Sequence, residues 1–497
     1  MTGDVHKRYE KDKMNMEMLL QETTRRYPEN TAVIYEGKRI SYAELNQFVE
    51  ALAYYLQGLG IRKGDKVAIM LANCPEFIIC YFAALRIGAV AVTLNVMSTP
   101  YELQYVVLNC DAKVFITAEN LAKRFQAVQA TNPLCRHLIT TTGLHHGSPF
   151  HDIIHNGLLS VNPPAIEGSD PAVMIYTAGL TGKPLGAVLT YNNLATQADL
   201  LGTLCNSTKD DRFLAVIPLF HSFGAAINML CPVYLGGTIV LMDRFTVEGI
   251  FKTIQNEKVT YISAVPRLFM GMLFSDKLKD YDLGSLRLGI TGGAAMPPEL
   301  FPQFEKHLGI HVLEGYGLTE TSPCCVFSRP GKAQKYGSIG TALQGAVVKI
   351  FDDAGGELAA GVTGELVVRG PMVMQGYYKN EAATAEIIRD GWLHTGDLAY
   401  MDEEGYVFLT GVKKRMIITS GFNVYPKELE LVLEMHPAVV ASKVIGKKDL
   451  MRGEIVKALI VKKPGNRIDE KEITQHCRNY LSAYKIPREV VFVESLN

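Results

Sequence analysis

The chain has 497 residues, 48% of them apolar and 20% charged, too long for one compact core and ordinary in balance for a globular enzyme of two or more domains. Its 50 Lys and Arg against 51 Asp and Glu argue against a nucleic-acid binder, which needs a basic surface. Nine cysteines without CxxC spacing read as reduced thiols of a cytoplasmic protein, which excludes a disulfide framework.

The N-terminus, MTGDVHKRYEKDKMNME, is charged and carries no apolar signal-peptide core. KVAIML (66–71) predicts a buried strand, PEFIICYFAALRIG a helix, and AVAVTL the next strand. Arg86 and Gly88 interrupt this longest apolar stretch, so a buried helix and strand explain it better than a transmembrane span. The alternation recurs through KVFITA, RFLAVIPLF, GGTIVLM, VTYISAVP, LRLGITGG and HVLEGYG. Val, Ile and Leu runs of this kind suit strands buried on both faces, so the class is α/β with mixed, largely parallel sheets. Past residue 329, turn-rich patches separate VVKIF, ELVVRG and YVFLT, which predict a smaller, distorted β-rich subdomain. After Thr410 a basic run, GVKKRM, precedes a helix, PKELELVLEMHP, and strands VVASKVIG and IVKALIVKK, a small α+β domain. A boundary at 411–415 divides the chain into an N-terminal domain, 1–411, and a C-terminal domain, 412–497. The other reading of GVKKRM is a charged surface turn.

Several stretches hold chemistry. In YTAGLTGKPLG (176–186), MIY ends a strand and a helical pattern begins at Asn193, which puts the loop at a strand's carboxyl end, where α/β sheets bind ligands. Gly179, Gly182 and Gly186 let backbone N–H groups approach an anion, Thr177 and Thr181 add hydroxyls, and Lys183 adds positive charge. The spacing is not that of a Walker loop, and a plain turn is the alternative. His221 follows an apolar strand, where a lone histidine is a core residue or a catalyst. HHGSPFHDIIH (145–155) invites a zinc reading but has no carboxylate or thiol support at ligand spacing, so surface histidines are expected.

The loop resembles the phosphate loop of the adenylate-forming superfamily: acyl-CoA synthetases, luciferases and peptide-synthetase adenylation domains. The resemblance continues in order through PLFHSFG (218–224), ITGGAAMPPEL (290–300), EGYGLTETSP (314–323), GELVVRGP (364–371), GWLHTGDL (391–398) and SGFNVYPKELE (420–430). It implies an AMP-forming acyl-CoA synthetase. Such an enzyme joins a carboxylic acid to Mg·ATP as an acyl-adenylate and then passes the acyl group to CoA. Its partners are small molecules, with no nucleic acid and no transmembrane segment, and the resemblance allows a homodimer.

The same resemblance assigns roles. Thr181, Lys183, His221 and Glu320 stand nearest the chemistry, with Glu320 as the Mg²⁺ ligand. The nucleotide and CoA sites draw on Thr177, Gly179, Gly182, Gly292, Gly293, Ala294, Glu314, Gly315, Tyr316, Gly317, Thr319, Asp397, Lys414, Ser420 and Gly421. Thr319 is expected at the α-phosphate and Tyr316 against adenine. Asp397, in a turn, takes the ribose hydroxyls. His221 edges the acyl pocket as a positioning group, Lys414 is the hinge, and Ser420–Gly421 line the pantetheine tunnel. His221, Phe223, Ala264, Gly293 and Gly315 are small or apolar where the acyl group lies, which favours an uncharged medium- or long-chain or ring acid.

The chain departs from the pattern at identifiable points. Ala178 and Leu180 replace a serine and a threonine, Leu185 a lysine, and Val412 an arginine that pairs with the ribose. GVKKR stands where the family reads GRxKD. The chain also ends at VVFVESLN, before the segment that carries the family's adenylation lysine. Two readings follow: a sequence cut short, or a protein that has lost one half-reaction. Carrier-protein loading and a catalytically impaired homologue remain the alternative functions.

Overall fold

The computed structural model describes residues 16–129, 132–144, 149–155, 161–178, 182–330, 335–413, 416–449 and 452–496. Its N-terminal body is built on one nine-stranded and one seven-stranded sheet. In the larger, Thr31–Tyr35, Thr238–Leu241, Arg212–Ala215, Tyr261–Ala264, Leu288–Thr291 and His311–Tyr316 lie side by side and parallel. In the smaller, Pro171–Ala178, Val90–Thr93, Lys66–Met70, Ala112–Ala118 and His137–Thr141 do the same.

A common core joins the two. It takes Val33 and Ile239 from one sheet and Val67, Ile69 and Ala91 from the other, with helices Tyr42–Gly58, Pro75–Arg86 and Tyr191–Ala198 between them. Every residue of Pro75–Arg86 is buried, as an all-round apolar helix between two sheets must be. Arg86 is tolerated there because its Nε meets Glu50 Oε1 at 2.8 Å. The outer faces are covered by Val247–Glu257 and Phe301–Leu308 on the larger sheet and by Pro100–Asn109 on the smaller.

Val347–Phe351, Gly364–Arg369, Trp392–Met401 and Val407–Val412 form the expected β-rich subdomain, an antiparallel sheet. From Ile417 the chain enters a separate sheet with its own core, which includes Leu429, Val444, Ile460 and Ile473. The change of sheet falls between 412 and 417. Among the described residues no helix is long and apolar enough to cross a membrane, and no cysteine is in a disulfide.

Three local expectations are corrected. Pro184–Thr190 is a strand antiparallel to Pro171–Ala178, so the glycine-rich loop closes a hairpin and does not lead into a helix. The helix starts at Tyr191, two residues before the expected Asn193, because Thr190 and Asn193 form a capping box. His151 is buried and stacks on His155 at 3.9 Å between ring centroids, so it is not a surface histidine. Positions 145–148 lie outside the described residues, and among those described no group of His, Cys, Asp or Glu forms a metal cluster.

Candidate active site

A cavity of about 280 Å³ lies beyond the carboxyl end of His311–Tyr316, lined by Leu318 and Glu320 after that strand and by Leu185 from Pro184–Thr190 of the seven-stranded sheet. Thr177 Oγ1 donates to Glu320 Oε1 at 3.3 Å, and the Tyr377 hydroxyl donates to the same oxygen at 2.7 Å. Glu320 is thus oriented by a hydroxyl from the neighbouring sheet and faces the cavity. Leu318 and Glu320 line the wall; Thr319 does not, and Gly317 packs on the Pro323 carbonyl.

Gly179, Leu180, Thr181 and Lys414 lie outside the described residues. The rest of the loop differs from expectation. Gly182 has φ +85°, and a Cβ there would come within 2.7 Å of Leu431 Cδ1 and 3.2 Å of the Lys427 carbonyl. The missing side chain lets helix Pro426–Glu434 approach this loop. Lys183 is exposed, 6.0 Å from the Tyr105 ring centroid, and is not on the cavity wall. Leu185 is on that wall. The position at which the family carries a lysine therefore faces the site, filled by an apolar side chain.

Asp397 also lines the cavity, but not from a turn. It sits inside strand Trp392–Met401 at a bulge, where 394–398 are matched by only 365–367 on the partner strand. Glu365 holds the bulge: its carboxylate accepts from Gly396 N at 3.1 Å and meets His394 Nδ1 at 3.2 Å and Lys413 Nζ at 3.1 Å. Burial opposes its charge, but the bonds and charges of His394 and Lys413 prevail and hold this carboxyl below its usual range. Burial raises Asp397, while the Tyr316 hydroxyl partly offsets this. Val412 is Asp397's cross-strand partner and lines the cavity too, so the replaced arginine would have stood beside this carboxylate.

The remaining predicted residues lie around this centre. Gly292 packs on the Gly315 carbonyl and the Phe223 ring, with Gly293 and Ala294 following on the same turn. Glu314 is buried away from the cavity, accepts from Met296 N at 3.3 Å, and is pushed up to about 7 by burial. It fixes the 292–296 turn. His221 caps helix Ser222–Ala225, its Nδ1 accepting from Phe223 N at 3.2 Å, and burial lowers it to about 4. A neutral ring committed to capping suits positioning better than proton transfer.

From the C-terminal domain, Ser420 Oγ accepts from Arg267 Nη1 at 3.1 Å, and Gly421 lies against Val265, next to Ala264 of the expected acyl pocket. Glu365, Tyr377 and Tyr425 were missed as site residues. Glu365 and Tyr425 lie in quoted motifs with nothing to mark their roles, and Tyr377 carries no sequence signal.

Two α/β sheets meeting at a carboxylate-lined cavity, closed by a small domain, define an adenylate-forming enzyme. The AMP-binding enzyme family model matches residues 20–378, and its C-terminal domain model matches 428–497. The long-chain-fatty-acid–CoA ligase of Bacillus subtilis (strain 168) is 33% identical, over 97% of this chain and 91% of its own length. A feruloyl-CoA synthase of Amycolatopsis sp is 35% identical, over 94% and 93%. The solved o-succinylbenzoate CoA synthetase of Bacillus subtilis, a double mutant bound to a product analogue, superposes with a TM-score of 0.86. It shares 29% identity and is covered to 95%, against 96% of this chain. The chain belongs to the AMP-binding enzyme family, whose acyl-CoA ligases use ATP, Mg²⁺ and CoA.

Proposed function

We propose that this chain is an AMP-forming acyl-CoA synthetase acting on an uncharged medium- or long-chain or ring carboxylic acid. One observation carries the reading: Glu320 and Asp397, delivered by different sheets, face one cavity closed by the C-terminal domain. Asp397 takes the ribose hydroxyls. Thr177 and Glu320 bind the phosphate side, where one carboxylate and one hydroxyl fit Mg²⁺, which shares its shell with phosphate and water. When bound, that ion neutralises charge on the phosphate oxygens. The protein's own groups orient the acid and nucleotide and fix the donors before reaction.

The small residues at Ala264, Gly293 and Gly315 support an uncharged acid, as do relatives named for long-chain fatty and ferulic acids. We place the hinge at 411–415, with Lys414 at its centre and Ser420–Gly421 at the CoA tunnel. The reading places the enzyme in the cytoplasm and allows a homodimer.

A panel of fatty and aromatic acids with ATP, Mg²⁺ and CoA, followed by pyrophosphate release and thioester formation, tests it. Release without capture by free CoA would favour carrier-protein loading. Nucleotide binding with no release for any acid would mark the impaired homologue that Leu185 and Val412 argue for.

A further inference from the structure

Tyr425 enters the cavity from the C-terminal domain. Of the described residues from Ile417 onward, where the separate sheet begins, it alone lines the cavity. Its two phenolic neighbours are committed: the Tyr316 hydroxyl donates to Asp397 and the Tyr377 hydroxyl to Glu320. The Tyr425 hydroxyl makes no hydrogen bond to any described residue. Burial raises its pKa first, and the charges of Glu320 and Asp397 add to the effect, so the phenol stays protonated and stands within the field of both carboxylates. Under the reading above, Asp397 marks the ribose and Glu320 the phosphate side. The span between them is where a nucleotide's 5′-phosphate ester lies. The same cavity has Leu185 and Val412 on its wall, two apolar side chains where the family pattern carries cations.

We propose that Tyr425 is a phosphate-contacting residue, donating a hydrogen bond from the C-terminal domain to the 5′-phosphate of bound AMP and of the acyl-adenylate. The inference rests on the reading of the cavity as a nucleotide site and adds a residue to it. In thioester formation the CoA sulfur bonds to the acyl carbon and the bond from that carbon to the phosphate oxygen breaks. The electron pair leaves on AMP, and the thiol proton passes to water. Tyr425 transfers no proton. It donates to the phosphate as charge collects there, and it moves with the domain that presents CoA.

Tyr425→Phe removes the donor and keeps the ring. Calorimetry with AMP and with adenosine separates a phosphate contact from damage to the fold. The expected result is AMP binding about tenfold weaker with adenosine unchanged, the loss typical of a hydrogen bond to a charged group. Conversion of a supplied acyl-adenylate plus CoA should slow by a similar factor with the CoA KM unaltered. Unchanged AMP affinity, or equal losses for AMP and adenosine, would overturn the assignment. Wild-type protein that binds neither ligand would overturn the nucleotide reading itself, a result distinct from wild-type binding that Tyr425→Phe leaves untouched.

Discussion

The Tyr316 hydroxyl donates to Oδ2 of Asp397 at 2.5 Å, tying the end of a parallel strand in the nine-stranded sheet to the bulge of the antiparallel subdomain. One carboxylate oxygen is thereby engaged and the group is held facing the cavity. Asp397→Ala should weaken AMP and ATP binding by about 1–3 kcal/mol, because the ribose hydroxyls lose a charged acceptor. Burial raises the Asp397 pKa in the ligand-free protein, so the carboxylate that receives the ribose is lost at a higher pH than an ordinary aspartate would be. Affinity should therefore decline as pH falls toward that raised value, and Asp397→Asn should flatten the decline. A variant that binds AMP as wild type does would remove Asp397 from the site.

Glu365 should matter through Asp397 and through stability. Its pKa is lowered in the folded protein despite burial, so it stabilises the fold above the ordinary glutamate range. That contribution disappears as pH falls through the lowered value. Glu365→Gln keeps a partner for Gly396 N but gives up the charge facing Lys413 and His394. The variant should lose about 1–3 kcal/mol of subdomain stability at pH 7 and less at pH 3, with weaker AMP binding as the bulge loosens. Melting curves at both pH values check this; equal losses at the two would show that the charge is not what Glu365 supplies.

What could be read from the sequence follows from what is local. Long Val/Ile/Leu runs separated by helical patterns gave the parallel sheets, since burial on both faces leaves a continuous apolar signature. Motif order pointed to Glu320 and Asp397, which line one cavity, and to Thr177, which bonds Glu320. Pairing across distance was not legible. Nothing in GWLHTGDL shows that Gly396 hangs on Glu365, 31 positions away, and a glycine in such a bulge looks like a turn. PLGAVLT was hidden between a glycine-rich loop and a helix because its pairing, with Pro171–Ala178 on one side and Gly376–Tyr377 on the other, leaves no mark in the local pattern. Gly182 and Gly186 look alike in the chain, yet only the approach of Lys427 and Leu431 reveals why Gly182 must lack a side chain.

Leu185 gives a direct gain-of-function test. It lies on the wall with Glu320, Tyr377 and Asp397, so a lysine here would add positive charge beside a bound polyphosphate. Leu185→Lys should tighten Mg·ATP by roughly 1 kcal/mol, about fivefold, in this partly solvated site. Val412→Arg should act similarly through Asp397. Weaker binding in both variants, measured calorimetrically, would mean that the apolar wall is needed for packing and that the anion lies elsewhere.

Lys485 joins the two domains. Its Nζ lies 2.7 Å from Glu102 Oε1 in helix Pro100–Asn109 and 2.6 Å from Glu428 Oε1 in helix Pro426–Glu434, with all three side chains at most 9% exposed. Ser482 adds a bond to Glu102 at 2.6 Å. Burial and then Lys485 act on both carboxyls: Glu102 ends below its usual range and Glu428 above it. Lys485→Met would leave two buried carboxylates without their cation, at a cost of about 3–5 kcal/mol, and that cost falls on the contact between domains. The connection at 412–417 holds Lys413, Lys414 and Arg415, all tryptic sites, so its exposure can be read as a cleavage rate. Cleavage there should rise at least about tenfold, tracking the population of the opened form. Adding Glu102→Gln to Lys485→Met removes one of the orphaned charges and should recover part of the loss. Unchanged cleavage and melting in Lys485→Met would show that the interface is held by its apolar and backbone contacts, with the buried ion pairs contributing nothing net.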